Sequence, residues 1–391
     1  MRMLSRPRGL IAALAAVTAL GAGGALAGAS AAKTVKHKAA GDVYVMTNLP
    51  TGNAVVVFHR YANGFLKRKG TYPTGGTGGG GRTTLPVPIA DSQDSLHVTA
   101  DRRFLFAVNI GSNTITSFRI HGDKLKRVST VSSRGQTPTS LYGENGLLYV
   151  TNVKSASIAG FHYNAKGRLR FIHGSVVQLK KNSEPSAEIF DFHQRFLIVN
   201  ERDHNTIVRI RLKKNGAPGK LTRFRSAGTA PFGLNMTSRE VIVTADAGGF
   251  PLSFGDSSIS SYNGKKNPPK RISHKPNKQT SSCWIIFTGN ERYGFTSSAI
   301  SESITTWKIS KRGKIRITRD VAEHTNGAAA DEDRSSNSKY LYVLVLNVNF
   351  MTLDFKNAHI EIYRIGRHGG LKKLGSTGAT LPGSTSGLQS F

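Results

Sequence analysis

The chain has 391 residues, 42 of them glycine, and its 54 Lys and Arg outnumber 23 acidic residues for a formal charge of +31. One cysteine, Cys283, excludes an internal disulfide, so stability must come from a packed core. Few stretches carry a 3.6-residue apolar period, which argues against a helical fold and for an all-β one. The basic residues are scattered through turns and strand edges, with no arginine-rich run interleaved with aromatics. No specific nucleic-acid role is expected from such a pattern. Solvated strand edges, or an anionic polymer or surface as partner, account for the charge instead.

The first 31 residues read as a signal peptide. Arg2, Arg6 and Arg8 form a positive start, residues 9–28 are small and apolar, and Ala29-Ser30-Ala31 offers a cleavage site. Retention as a membrane anchor is the alternative. Removal brings the charge to +28 and places the mature protein outside the cytoplasm, as a secreted, periplasmic or cell-surface chain. Residues 32–41 are expected to be a disordered basic leader.

From residue 42 to 391 the chain repeats itself. An apolar hexamer recurs as Val43–Asn48, Phe104–Asn109, Leu147–Asn152, Phe196–Glu201, Val241–Asp246, Tyr293–Ser298 and Tyr340–Val345, with successive copies 43 to 61 residues apart. That period is the mark of a propeller-like repeat. A second strand follows each hexamer, as in Thr114-Ile-Thr-Ser-Phe118 and Ser303-Ile-Thr-Thr-Trp307. A third element such as Gly64-Phe-Leu or Gly167-Arg-Leu turns into an outer strand whose Lys and Arg guard an exposed edge. A fourth strand precedes each hexamer except the first. Its missing copy lies at the other end, in Gly383-Ser-Thr-Ser-Gly-Leu388. The fold class is therefore an all-β, seven-bladed β-propeller closed by a C-terminal strand that completes the first blade. Three stretches break the repeat: a Gly-rich insert at 74–81, a loop expected over 263–280, and a lengthened turn at 347–357. Cys283, in Ser282-Cys-Trp-Ile-Ile-Phe287, reads as a buried structural thiol.

Asp101-Arg-Arg-Phe-Leu-Phe-Ala-Val-Asn109 with Ser112-Asn-Thr-Ile115 resembles the repeat of the lactonase-type seven-bladed propellers, the family of 6-phosphogluconolactonases and carboxymuconate-lactonising enzymes. Thr74-Gly-Gly-Thr-Gly78 and Ser92-Gln93 are similar to the Gly-rich and Ser-Gln segments of its exported bacterial branch. The resemblance implies the propeller fold and a small lactone or carbohydrate-derived ligand. The sequence departs from the family in blade seven, where Asp331-Glu-Asp-Arg-Ser-Ser336 replaces an apolar inner strand. A histidine-containing loop pattern of the catalytic branch is also absent, so no catalytic residue is carried over.

The sixth hexamer position holds Asn48, Asn109, Asn152, Glu201, Asp246, Ser298 and Val345. The six polar members are expected to ring one mouth of the channel, with Asn48, Asn109, Asn152 and Ser298 contacting substrate. The alternative for such residues is hydrogen bonding to the backbone of the following turn. Glu201 and Asp246 come from neighbouring blades, and one of them would act as the base that activates water. Arg202 and His204 would supply the electrophilic side. Binding of a hard cation together with carbonyl oxygens, and salt bridging to Arg202 or other basic neighbours, are the alternatives for the carboxylates. The Gly-rich loop at 74–82 lacks a P-loop ending, and no zinc spacing or Gly-x-Ser-x-Gly elbow is present. No metal or cofactor is expected, and the chain is taken as a monomer. The expected function is that of an exported lactonase-like propeller hydrolysing a sugar lactone or related cyclic ester at the channel mouth. A non-catalytic propeller that binds a polyanion, a cell-wall polymer or a protein is the alternative.

Overall fold

The computed structural model describes residues 39–80, 92–249, 253–349, 352, 354–378 and 380–391. The expected signal peptide and residues 32–38 of the expected leader lie outside them. Within them, seven antiparallel sheets form seven blades, each running inner to outer through four strands, with a short extra strand in blades three and seven. The inner strands are Ser386–Ser390 in blade one, then Leu96–Val98, Pro138–Glu144, Pro185–Phe190, Pro231–Met236, Ser282–Phe287 and Ala328–Arg334 in blades two to seven. Each contacts its neighbours on both sides, so the ring is closed.

The hexamers are the second strands. In blades two to six the observed strands coincide with the repeat, and Phe104–Asn109 is buried along its whole length. Alternate side chains face the blades on either side, and both faces are covered. Continuous apolar runs are what such doubly buried strands require. Packing between blades is specific. Gly64, Gly167, Gly216, Gly313 and Gly369 have positive φ in the outer hairpins and sit against the first hexamer residue of the neighbouring blade. At Gly167 a Cβ would come within 2.7 Å of the Phe104 ring. Both the turn and the contact therefore demand glycine.

Three boundaries differ from expectation. Blade one's second strand is Ala39–Met46, so the chain is ordered three residues before the end of the predicted leader. The buried Arg60 guanidinium donates to the Ala40 and Phe391 carbonyls and ties the first described strand and the C-terminal strand to one blade. The closing strand is Ser386–Ser390, slightly later than predicted, and pairs antiparallel with Val43–Met46. The stretch expected as a loop in blade five contains that blade's outer strand, Lys270–Pro276. Its pairing with Ser258–Asn263 uses backbone groups and leaves the Lys and Arg side chains in solvent, so no apolar pattern announces it.

An inner strand has one edge paired within its blade and one edge facing the axis. Buried backbone groups on that free edge need partners. In blade one they come from blade seven. Asp331 accepts the Leu388 N–H and Asp333 accepts the Ser390 N–H, both at 2.7 Å. The acidic departure in blade seven is thus the clasp of the closing strand. Gln389 adds a bond to the Val98 N–H at 3.3 Å and one to Asp94 at 3.2 Å.

The free edges of blades three to six are served by Ser92-Gln93-Asp94, which crosses the channel. The Gln93 N–H donates to the Ser186 carbonyl, and its own carbonyl accepts Ser140 Oγ at 2.6 Å. Its side-chain amide donates to the Leu234 carbonyl at 2.9 Å and accepts the Ile285 N–H at 3.3 Å. One residue therefore joins the inner strands of blades three, four, five and six. Trp284 Nε1 donates to the Ser92 carbonyl, and the Leu141 N–H to that of Asp94. Replacing Gln93 with Leu would keep the volume and strand Leu234 O and Ile285 N without partners. We expect Gln93→Leu to lower the unfolding free energy by about 2–4 kcal/mol, read from urea denaturation with an unchanged m-value.

Candidate functional site

The polar residues at the sixth hexamer position are fully buried and face protein on every side. Asn48 lies in the turn after its strand, and its Oδ1 accepts the Gly79 N–H at 2.8 Å. Asn109 donates to Thr114 and Thr116 and accepts from Asn53. Asn152 donates to the Ser133 carbonyl, and the Ser298 hydroxyl bonds that of Ser282. Gly76, Gly135 and Gly228 press directly on Asn109, Asn152 and Asp246. These glycines lie on the connections that enter each blade from the outer strand of the preceding one. The position is thus a latch between blades, close to the expected backbone-bonding alternative. In blade seven Val345 cannot latch, and Glu361 on the next strand does so by accepting the Asn326 N–H at 3.0 Å.

Glu201 and Asp246 occupy two separate latches and share no hydrogen-bond partner. Glu201 accepts the Lys180 N–H at 3.0 Å, Thr206 Oγ1 at 2.8 Å and Arg223 Nε at 3.0 Å. Burial pushes its carboxyl up, but Arg223, the Lys180 N–H and Thr206 outweigh that and hold it below the ordinary range. Among the described residues Asp246 pairs with no cation. Burial lifts it to about 6 despite hydroxyls from Ser260, Ser258, Thr244 and Ser226. Arg202 pairs with Glu184, and His204 donates to the Lys181 carbonyl at 2.9 Å. Both are engaged with the loop before blade four's inner strand.

The acids nearest the axis are others. Asp94 in the plug is raised to about 7 by burial, and Asp333 to about 6. Two more occupy a repeated position. The inner-strand residue opposite the fourth hexamer residue is Leu96, Leu141, Glu188, Leu234, Ile285 and Glu332 in blades two to seven. Glu188 and Glu332 thus stand where the other blades use aliphatics. Glu188 has Ser140 and Thr151 nearby and Glu332 has Ser297, yet no carboxylate oxygen of either makes a well-formed hydrogen bond. Burial pushes Glu188 up to about 8 and Glu332 well above its usual value.

An open cavity of about 290 Å³ lies at one end of the channel. It is bounded by the loops joining inner to second strands in blades two to five, with Glu144, Asp191, Gln194 and Asn235 as polar lining and Tyr142, Phe190 and Phe192 as apolar walls. Behind Glu144 lies His97 of blade two's inner strand, buried, with Nε2 at 3.4 Å from Glu144 Oε1 and its ring 4.3 Å from that of Tyr142. Burial works to lower the His97 pKa, but Glu144 and Asp94 together outweigh it and raise it. The Ala100 N–H fixes the same Glu144 oxygen at 2.7 Å. This pair escaped the sequence analysis because His97 and Glu144 lie on different blades, 47 residues apart. The usable signal was a histidine set between Leu96 and Val98 on an inner strand.

Residues 33–181, through the end of blade three, match the family model described as Lactonase, 7-bladed beta-propeller. Over that stretch the chain is similar to the lactonase-type propellers, and its fold is a seven-bladed propeller throughout. Solved structures carry the likeness around the ring. A putative 6-phosphogluconolactonase from Bacteroides fragilis is 15% identical with a TM-score of 0.66, covering 90% of this chain and 98% of that one. A protein from Lactobacillus plantarum is 13% identical at a TM-score of 0.67, with 90% and 99% covered. The periplasmic gluconolactonase of Pseudomonas aeruginosa is 16% identical at 0.63, with 90% and 98% covered. At these identities the likeness is one of fold. No curated protein matches the chain.

The raised acids of this propeller make its stability depend on pH. Between the unfolded pKa and about 8, folded Glu188 holds a proton that the unfolded chain releases, so its contribution to stability falls as pH rises through that window. Glu188→Gln removes the loss. We expect the stability of the variant relative to wild type to grow from pH 5 to pH 8, by up to about 1.4 kcal/mol per pH unit, as read by thermal unfolding across the range.

Proposed function

We propose that this propeller hydrolyses a small cyclic ester of the sugar-lactone class in the cavity bounded by blades two to five. The observation that carries the reading is the Glu144–His97 pair at the channel end of a lactonase-family ring. The names of the similar structures from Bacteroides fragilis and Pseudomonas aeruginosa support the substrate class. Glu144 takes a proton from a water that attacks the lactone carbonyl carbon. When the ring carbon–oxygen bond breaks, Glu144 returns that proton to the leaving alkoxide. His97 behind it acts as a positioning residue that orients the carboxylate, together with the Ala100 N–H. Gln194 and Asn235 face the bound ester. The chain acts outside the cytoplasm, as its first 31 residues suggest.

Purified protein tested by pH-stat on a panel of sugar δ- and γ-lactones decides the matter. We expect turnover of at least one lactone by the wild type, and a loss of about 10²-fold or more in kcat for Glu144→Gln with KM little changed. Glu201→Gln is expected to lose stability through its unpaired Arg223 while retaining kcat. No turnover by folded wild type would overturn the hydrolase reading. A loss confined to Glu201→Gln would move the base back to blade four.

A further inference from the structure

A groove of about 780 Å³ lies on the outer side of the ring, between the loops of blades five and six and the outer hairpin of blade six. Its floor includes the buried Ile309 and Ile315. Arg292, Lys308, Lys311, Lys314 and Arg316 line it, and all five are exposed. Lys308 and Arg316 stand directly opposite each other across the hairpin, an arrangement that costs stability when nothing neutralises it. Among the described residues none of the five has an ion pair. The one acid in the lining, Glu291, is already engaged by Arg239 at 3.0 Å and by the Ser238 N–H and hydroxyl. Elsewhere on the rim the chain does neutralise such charge, as where His59 and Lys69 flank Asp123 at 3.3 and 3.0 Å.

The groove also says what kind of anion it suits. Its tyrosine, Tyr293, bonds His368 through its hydroxyl at 3.1 Å and packs its ring on Gly369. Tyr293 and the exposed His368 it bonds are the only rings in the lining, so the groove offers no run of aromatic platforms for successive nucleic-acid bases. Asn290 and Ser310 add neutral hydrogen-bonding groups among the cations. We propose that this groove binds an acidic polysaccharide of the polyuronate class, with carboxylates on the five cations and sugar hydroxyls on Asn290 and Ser310. The site is separate from the Glu144 cavity and stands whether or not that cavity hydrolyses lactones.

The test is fluorescence anisotropy of the full chain with a labelled oligogalacturonide at low and high salt. We expect saturable binding that weakens as salt rises. The triple variant Lys311→Glu, Lys314→Glu, Arg316→Glu should lose affinity by about tenfold or more. A control with the same charge change on other blades, Lys126→Glu, Arg170→Glu, Lys372→Glu, should lose less than about threefold. Equal losses in the two triples would reduce the effect to net charge and overturn the site. An oligothymidylate of matched charge that binds as tightly would overturn the ligand class. If the first triple fails to fold by circular dichroism, Lys311→Gln with Lys314→Gln gives the same comparison without charge reversal.

Discussion

The structure depends on satisfying the free edges of seven inner strands around a closed axis. Each of these strands has one edge paired inside its blade and another turned to its neighbours, where bulk water does not reach. A propeller can leave such an axis hollow and wet. Here the chain fills it with its own polar groups. Gln93 serves four blades, and Asp331 and Asp333 hold the strand that closes the ring. The same constraint explains why the inner strands carry Ser, Gln and Asp at positions that face the axis, while the second strands are mainly apolar up to their last residues.

Filling the axis this way separates the charges. Many of the acids are drawn inward, to the plug, the clasp, the latches and the paired positions of Glu188 and Glu332. The Lys and Arg residues stay mostly on outer hairpins. The surface is therefore more cationic than the overall balance of 54 basic to 23 acidic residues suggests. Acids held neutral or latched inside cannot screen the cations outside. Local concentrations of unpaired positive charge, such as the groove of blade six, follow from that division.

With the channel blocked by Ser92-Gln93-Asp94, chemistry on a small ligand belongs at a channel end. The cavity there is built from four loops whose lengths the repeat leaves free to vary. Its carboxylate and imidazole come from the inner strands of different blades, so their meeting depends on how the blades are angled around the axis. Glu201 and Asp246 looked alike in the sequence because they share a repeat position. Their environments differ: Arg223 holds one ionised, and only hydroxyls surround the other.

The sequence by itself determined the ring. Seven copies of an apolar hexamer and a displaced inner strand specify the number of blades and the closure, because doubly buried strands need continuous apolar runs that a single chain displays openly. It also marked Asp331–Asp333 as a departure from the repeat and Ser92-Gln93 as a family-like segment, without saying what either does. Only the tertiary structure decided what those residues do. A polar side chain on an inner strand acquires its meaning from the backbone edge it meets on another blade, hundreds of residues away in the case of Gln389 and Asp94. The roles of the sixth hexamer residues, the meeting of His97 with Glu144 and the clustering of blade-six cations were all hidden for the same reason. Repeat patterns encode what each blade does for itself, while sites arise from contacts between blades.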